Sequence, residues 1–179
     1  SVRHFVLTGG EARRADYYVS AMPVDVLKRL LPPRWAAEPF FGQLAELEGI
    51  PVITVQLWFD AKLDSVDGLC FSRSPLLSVY ADMSECCAEY ADDERSVLEL
   101  VFAPCSPAAG GEVNWIAKSD DEIVDATLGE LVRLFPSDIA RDERWASIAS
   151  RGRDQGGARV RKSAVVRVPR SVYAATPGR

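Results

Sequence analysis

One histidine, His4, serves the whole 179-residue chain, and the four cysteines, Cys70, Cys86, Cys87 and Cys105, form no Cys-x-x-Cys pair. The shortage of imidazole removes the usual base for a Ser or Cys nucleophile. Together with the cysteine spacing, it also removes the common zinc ligand sets. Adjacent Cys86 and Cys87 cannot close an ordinary disulfide without strain, and four cysteines without a signal peptide do not make a disulfide-stapled secreted scaffold. No apolar stretch approaches the ~20 residues of a membrane-spanning helix. Nothing recurs at a fixed period, which excludes solenoids and propellers. Gly9-Gly10 and Gly110-Gly111 lack the G-x-G-x-x-G or Walker spacing that cradles a phosphate.

What is present is ordinary for a globular domain: 47% apolar residues, 26% charged and a net charge of −5. The chain opens on Ser1-Val2-Arg3-His4 without Met and stops at Thr176-Pro177-Gly178-Arg179. We read both ends as interior to a larger protein. Charge is uneven, because residues 151–179 hold eight basic side chains against the single acid Asp154. A basic tail raises acidic lipid or nucleic acid as partners. These Arg residues are scattered through a Gly-rich loop and a strand without interleaved aromatics. A solvated loop therefore ranks first, a lipid contact second and nucleic acid last.

Along the chain, His4 to Leu7 and Tyr17 to Val19 read as short strands around the Gly9-Gly10 breaker. Val24, Leu27, Leu30 and Leu31 then recur at helical spacing, opened by Pro23 and stopped by Pro32-Pro33. A second helix is expected over Phe40 to Glu48, ended by Gly49. Ile50 to Phe59 alternates cleanly, with Ile53, Val55, Leu57 and Phe59 on one face and Val52, Thr54, Gln56 and Trp58 on the other. The mixed second face either floors a cavity or meets solvent. Leu69 to Phe71, Leu76 to Met83 and Ser96 to Ala103 add strands without intervening helices, so the middle of the chain is an antiparallel or mixed sheet. Ser119 and Glu122 form a capping box. The helix it opens buries Ile123, Val124, Thr127, Leu128, Leu131, Leu134 and Phe135, and Pro136 closes it. A last strand, Ala164 to Val168, is expected to break at Pro169.

Local chemistry names no active site. His4 beside Phe5 reads as a partly buried strand residue. The acidic runs Asp92-Asp93-Glu94 and Asp120-Asp121-Glu122 read as a turn and a helix cap. No side chain is expected to be catalytic, and none to bind a metal.

Longer stretches say more. Ala15-Asp16-Tyr17-Tyr18-Val19-Ser20-Ala21-Met22-Pro23 resembles the strand-turn-helix element of FAD-dependent amine-oxidase-type flavoproteins. Tyr18 to Pro32, Gly49 to Asp60, Phe71 to Ser84, Leu98 to Pro104, Asp121 to Leu128 and Val168 to Tyr173 follow in order. They are similar, nearly word for word, to the plastid-type and cyanobacterial phytoene desaturase family. The sister zeta-carotene desaturases share the Gly49 to Leu57 strand but much less of Phe71 to Ser84.

The resemblance implies an α/β (α+β) chain: a fragment of a Rossmann-like FAD-binding domain interleaved with a mixed-sheet substrate domain. Residues 1–32 would lie on the FAD side, 33–168 mainly in the substrate domain, and 169–179 would return toward the FAD domain. It implies desaturation of 15-cis-phytoene toward zeta-carotene, with electrons passing through FAD to plastoquinone. A plastid protein, peripherally bound to membrane and homo-oligomeric, is implied as well. The cofactor then carries the hard step, while the protein aligns an apolar polyene and excludes water. Ala21 and Met22 become candidates for cofactor contact, Val172 and Tyr173 for the cavity beside the flavin, and Trp58, Phe71 and Leu77 for its walls or for the core. The segments from Cys105 to Asn114 and from Arg151 to Arg161 are longer than the family's usual links and read as surface loops. The dinucleotide fingerprint is absent, so this chain by itself is expected to be inactive. A stand-alone apolar-ligand module and a non-catalytic interaction subunit are the alternatives.

Overall fold

A computed structural model describes residues 2–66, 68–139 and 157–174. At its start, Gly10 takes a left-handed φ of 83°, which lets Leu7 and Glu11 close a hairpin between β1 (Phe5–Val6) and β2 (Ala12–Arg13). The expected strand at Tyr17 to Val19 does not form. Tyr17 and Val19 are 89% and 85% exposed, and an extended run with no partner strand gains no ladder bonds. His4 precedes β1 and is exposed, which corrects its reading as a partly buried strand residue.

Pro23 precedes α1 (Val24–Leu30), which ends before Pro32. Prolines also open α2 (Pro33–Ala36) and α3 (Pro39–Gly42), where a missing N–H costs no helical bond. The longer helix expected over Phe40 to Glu48 is instead α3 followed by a 3-10 turn, Gln43–Glu46. Gly42, a poor helix former, sits at the change. Gly49 begins a strand rather than capping a helix.

That strand, β3 (Gly49–Phe59), is joined in chain order by β4 (Leu69–Phe71), β5 (Leu77–Asp82), β6 (Val97–Phe102) and β7 (Val160–Tyr173). A short α4 (Met83–Cys86) follows β5, and α5 (Asp120–Leu134) separates β6 from β7. The five-stranded sheet has the order β4-β5-β6-β3-β7. Of the antiparallel and mixed alternatives it takes the first, since every strand pair is antiparallel. The short link between β4 and β5 leaves no room for a crossover, which favours antiparallel pairing there. β7 runs straight through Pro169, past the break expected there. It is an edge strand, and its register against β3 slips between Val52↔Val168 and Ile50↔Val172, so the proline sits in a bulge.

Alternation decides the core. Ile53, Val55, Leu57 and Phe59 are buried on the inner face with Leu98, Leu100 and Phe102 of β6 and Leu77 of β5. Ile123, Leu131 and Val132 of α5 cover them, while Tyr80 packs edge-on against Phe135 and Phe102 against Trp115. Thr127 is also buried and spends its hydroxyl on the Ile123 carbonyl. The capping box holds in full: the Glu122 amide donates to Ser119 Oγ at 3.3 Å and the Ser119 amide to Glu122 Oε2 at 3.0 Å. Arg167 of β7 reaches across to Asp120 and to the Lys118 carbonyl, fastening this helix start to the sheet.

Candidate functional site

The face of the sheet turned away from α5 is the candidate site. Register places Phe71, Val79, Val101, Thr54 and Val166 in one row across all five strands. Beside it, Val52 opposes Val168, and Ile50 opposes Val172. These side chains form an apolar strip running along β3 and β7 to the end of the sheet next to α1. Phe71 is 83% exposed, Val166 51% and Val172 46%. The exposed members stand at the two edges, Phe71 on β4 and Val166, Val168 and Val172 on β7, with half-buried residues between them, and an apolar patch of this kind marks a surface that meets another apolar body. In the other direction the strip ends at a polar pair, Gln56 Nε2 to Glu99 Oε2 at 3.1 Å.

Beyond that pair the face turns charged. Trp58, Asp60, Asp92, Arg95, Ser96 and Arg161 line an open cleft of about 460 Å³. Lys162 Nζ stands 4.6 Å above the Trp58 ring, and Arg161 faces Asp60 at 3.5 Å. Two acids answer the cations there, so the cleft has no strong preference for one sign of ligand. Within the described part of the basic segment, Arg159 donates its amide to Asp60 at 2.7 Å. Most of the Arg151 to Arg161 loop lies outside the described residues.

The expected contact residues separate on this map. Phe71 and Trp58 share the outer face, Phe71 in the apolar row and Trp58 at its charged end. Val172 also belongs to the outer face, whereas Tyr173 opposes Gly49 one residue on. Leu77 is fully buried on the inner face and acts in the core, the second of the two roles open to it. Ala21 and Met22 are exposed, just before α1. The nearby acidic Asp25 is unsuited to a pyrophosphate.

From the sequence, Asp25 reads only as a favourable negative charge at a helix start. Its carboxylate is 13% exposed and accepts the Gly49 amide at 3.0 Å, with Lys28 at 3.5 Å and Arg170 at 3.8 Å. Lys28 also donates to the Leu47 carbonyl. A Cβ on Gly49 would run into Asp25 Oδ2 and lie 3.0 Å from Arg170 Cβ, so adding one forces the carboxylate to shift. Nothing in local spacing joins that charge to Gly49, which reads as a helix terminator.

The thiols stand apart from this surface. Cys105 is buried, donates to the Pro51 carbonyl at 3.2 Å, and is pushed up from the usual thiol range by that burial. Cys87 donates to Glu89 at 2.9 Å, which raises the thiol and lowers the carboxyl.

Comparison with known proteins fits this geometry. The 15-cis-phytoene desaturase of Synechococcus elongatus is 52% identical over 165 residues, 92% of this chain and 31% of that protein. The 15-cis-phytoene desaturase, chloroplastic/chromoplastic, of Narcissus pseudonarcissus is 49% identical over 178 residues, 99% of this chain and 28% of that protein. Zeta-carotene desaturase of Arabidopsis thaliana falls to 27% over 183 residues, 93% of this chain and 28% of that protein. The chain therefore spans about three tenths of the length of these relatives. Among solved structures, a putative protoporphyrinogen oxidase from Exiguobacterium sp. 255-15 superposes with a TM-score of 0.54 at 18% identity, over 96% of this chain and 32% of that one. The family described as flavin containing amine oxidoreductase matches residues 3–179, all but the first two. With its sheet superposing on a solved fold and its sequence matched nearly end to end, this chain belongs to the flavin-containing amine oxidoreductases.

Proposed function

We propose that this chain is the substrate-domain portion of an FAD-dependent 15-cis-phytoene desaturase, and that the outer face of its sheet is one wall of the polyene cavity. The observation that carries the reading is the contrast in identity, near half against phytoene desaturases and 27% against a zeta-carotene desaturase. The open apolar row supports it, because a C–H desaturase must seat a long hydrocarbon and keep water from it. The reaction runs from phytoene through phytofluene to zeta-carotene, with plastoquinone as the final acceptor. The plant relatives' names support a plastid setting, and we extend the proposal to peripheral membrane attachment and to a homo-oligomeric whole enzyme.

A bound flavin supplies the hydride acceptor that no side chain here provides. The chain's own residues position and exclude. Val166, Val168 and Val172 flank the polyene along β7, Phe71 closes the far edge, and Gln56 with Glu99 bounds the apolar strip. Ala21 and Met22 would meet the flavin ring, with Tyr173 at the β7 end of the strip beside Val172. The proposed division keeps residues 1–32 with the FAD domain and 33–168 with the substrate domain. Residues 169–179 then return toward the flavin as a continuation of β7.

The test is Val166→Asp in the full-length protein. A half-exposed side chain contributes little to folding, so the unfolding midpoint and flavin content stay at wild-type values. Conversion of micellar phytoene falls at least about tenfold, because a carboxylate on an apolar wall must stay hydrated. Wild-type conversion by this variant sinks the assignment of the face.

A further inference from the structure

We infer that Asp25 is a positioning residue that sets the spacing between the cofactor-side segment of this chain and the β7 end of the apolar strip. The inference rests on the proposed function and names a link that function does not require of any residue in particular. Three elements meet at this carboxylate. Asp25 lies in the first turn of α1, three residues after Met22. It accepts the amide of Gly49, the first residue of β3, and it faces Arg170 in the β7 bulge, two residues before Val172.

The hierarchy within the cluster follows from burial. The bond to Gly49 is charge-assisted and nearly enclosed, so it dominates. Arg170 is 60% exposed and 3.8 Å away, so its pairing is screened and secondary. The absence of a Cβ on Gly49 completes the device, because the Asp25 oxygen and the Arg170 stem occupy the space a methyl would take. Bending at the β7 bulge then carries Val172 with it, and transfer of a hydride is sensitive to displacements of this order. The Lys28 bond to the Leu47 carbonyl ties the far side of α1 to the approach to β3.

The experiment uses the full-length flavin-loaded protein. Asp25→Asn retains an oxygen for the Gly49 amide and removes the charge that holds Arg170, whereas Gly49→Ala pushes the carboxylate out of place. We expect kcat for phytoene to fall about threefold in the first and about tenfold in the second, with KM and flavin content within about twofold of wild type. Amide exchange over residues 171–174 accelerates in both, while residues 53–57 stay protected. Adding Arg170→Gln to Asp25→Asn produces no further loss, since both remove one link. Unchanged kcat in both variants overturns the inference. Multiplicative losses in the double variant, or loss of flavin in proportion to activity, overturn it equally. Should the wild-type protein fail to convert phytoene, the functional reading falls, and the exchange pattern still decides whether Asp25 holds the β7 end.

Discussion

Asp82 is buried completely, and four donors converge on its carboxylate: the Ser84 amide and hydroxyl, the Ser96 hydroxyl and the Val97 amide. Ser96 in turn accepts the Leu63 amide, and Lys62 donates to Ser84 and to the Asp92 carbonyl. Burial disfavours the charge on Lys62, yet Glu85, Asp82 and Asp92 together raise its pKa. Asp82→Ala orphans these donors and is expected to lower stability by about 3 kcal/mol or more in urea unfolding. The capping box offers a second residue-scale test. Lys118 and the Ser119 amide hold the exposed Glu122 at about 2, below its ordinary 4.5. A depressed folded pKa means that its contribution is complete above about pH 4.5 and fades as pH falls toward 2. Glu122→Gln should thus lower the melting temperature at pH 7 and approach wild type only below about pH 2, and Ser119→Ala should cost about 1 kcal/mol at neutral pH. The box was legible because its partners are three residues apart. Asp82 was not, because Ser96 lies fourteen residues on and only β-pairing brings the two together.

At the scale of the element, alternation in β3 was the most legible signal in the chain, and the register turned it into two faces with opposite tasks. Leu57→Ala on the inner face should cost about 2–5 kcal/mol, whereas Thr54→Ala on the outer face should cost under about 1 kcal/mol; chemical denaturation of the pair measures the asymmetry. The strands β4, β5 and β6, α1 and α5 all fall where periodicity and caps put them. Three elements do not. The strand expected at Tyr17 to Val19 finds no partner and does not form. Apolar spacing over Phe40 to Glu48 fits a helix, but Gly42 divides it and Phe40 is left exposed. Pro169 reads as a breaker in one dimension and as a bulge once β7 is known to be an edge.

For the whole molecule, exposed apolar side chains are most frequent on the outer sheet face and on the segment before α1, with Val26, Leu30, Phe40, Tyr90 and Val113 exposed elsewhere. The purified 179-residue chain should accordingly bind an apolar dye and yet carry no stoichiometric flavin; a flavin absorbance band at one equivalent would contradict the second expectation. Composition, periodicity and word-level similarity were enough to determine α1 and α5, most strands, the capping box and the family, because each depends on neighbours in sequence or on the words themselves. Only the tertiary structure decided that Leu77 is core while Phe71 and Val172 are surface, and that Asp25, Gly49 and Arg170 meet. A residue's face depends on strand register, and a carboxylate's partners depend on which chain ends are folded together; neither is written in local spacing.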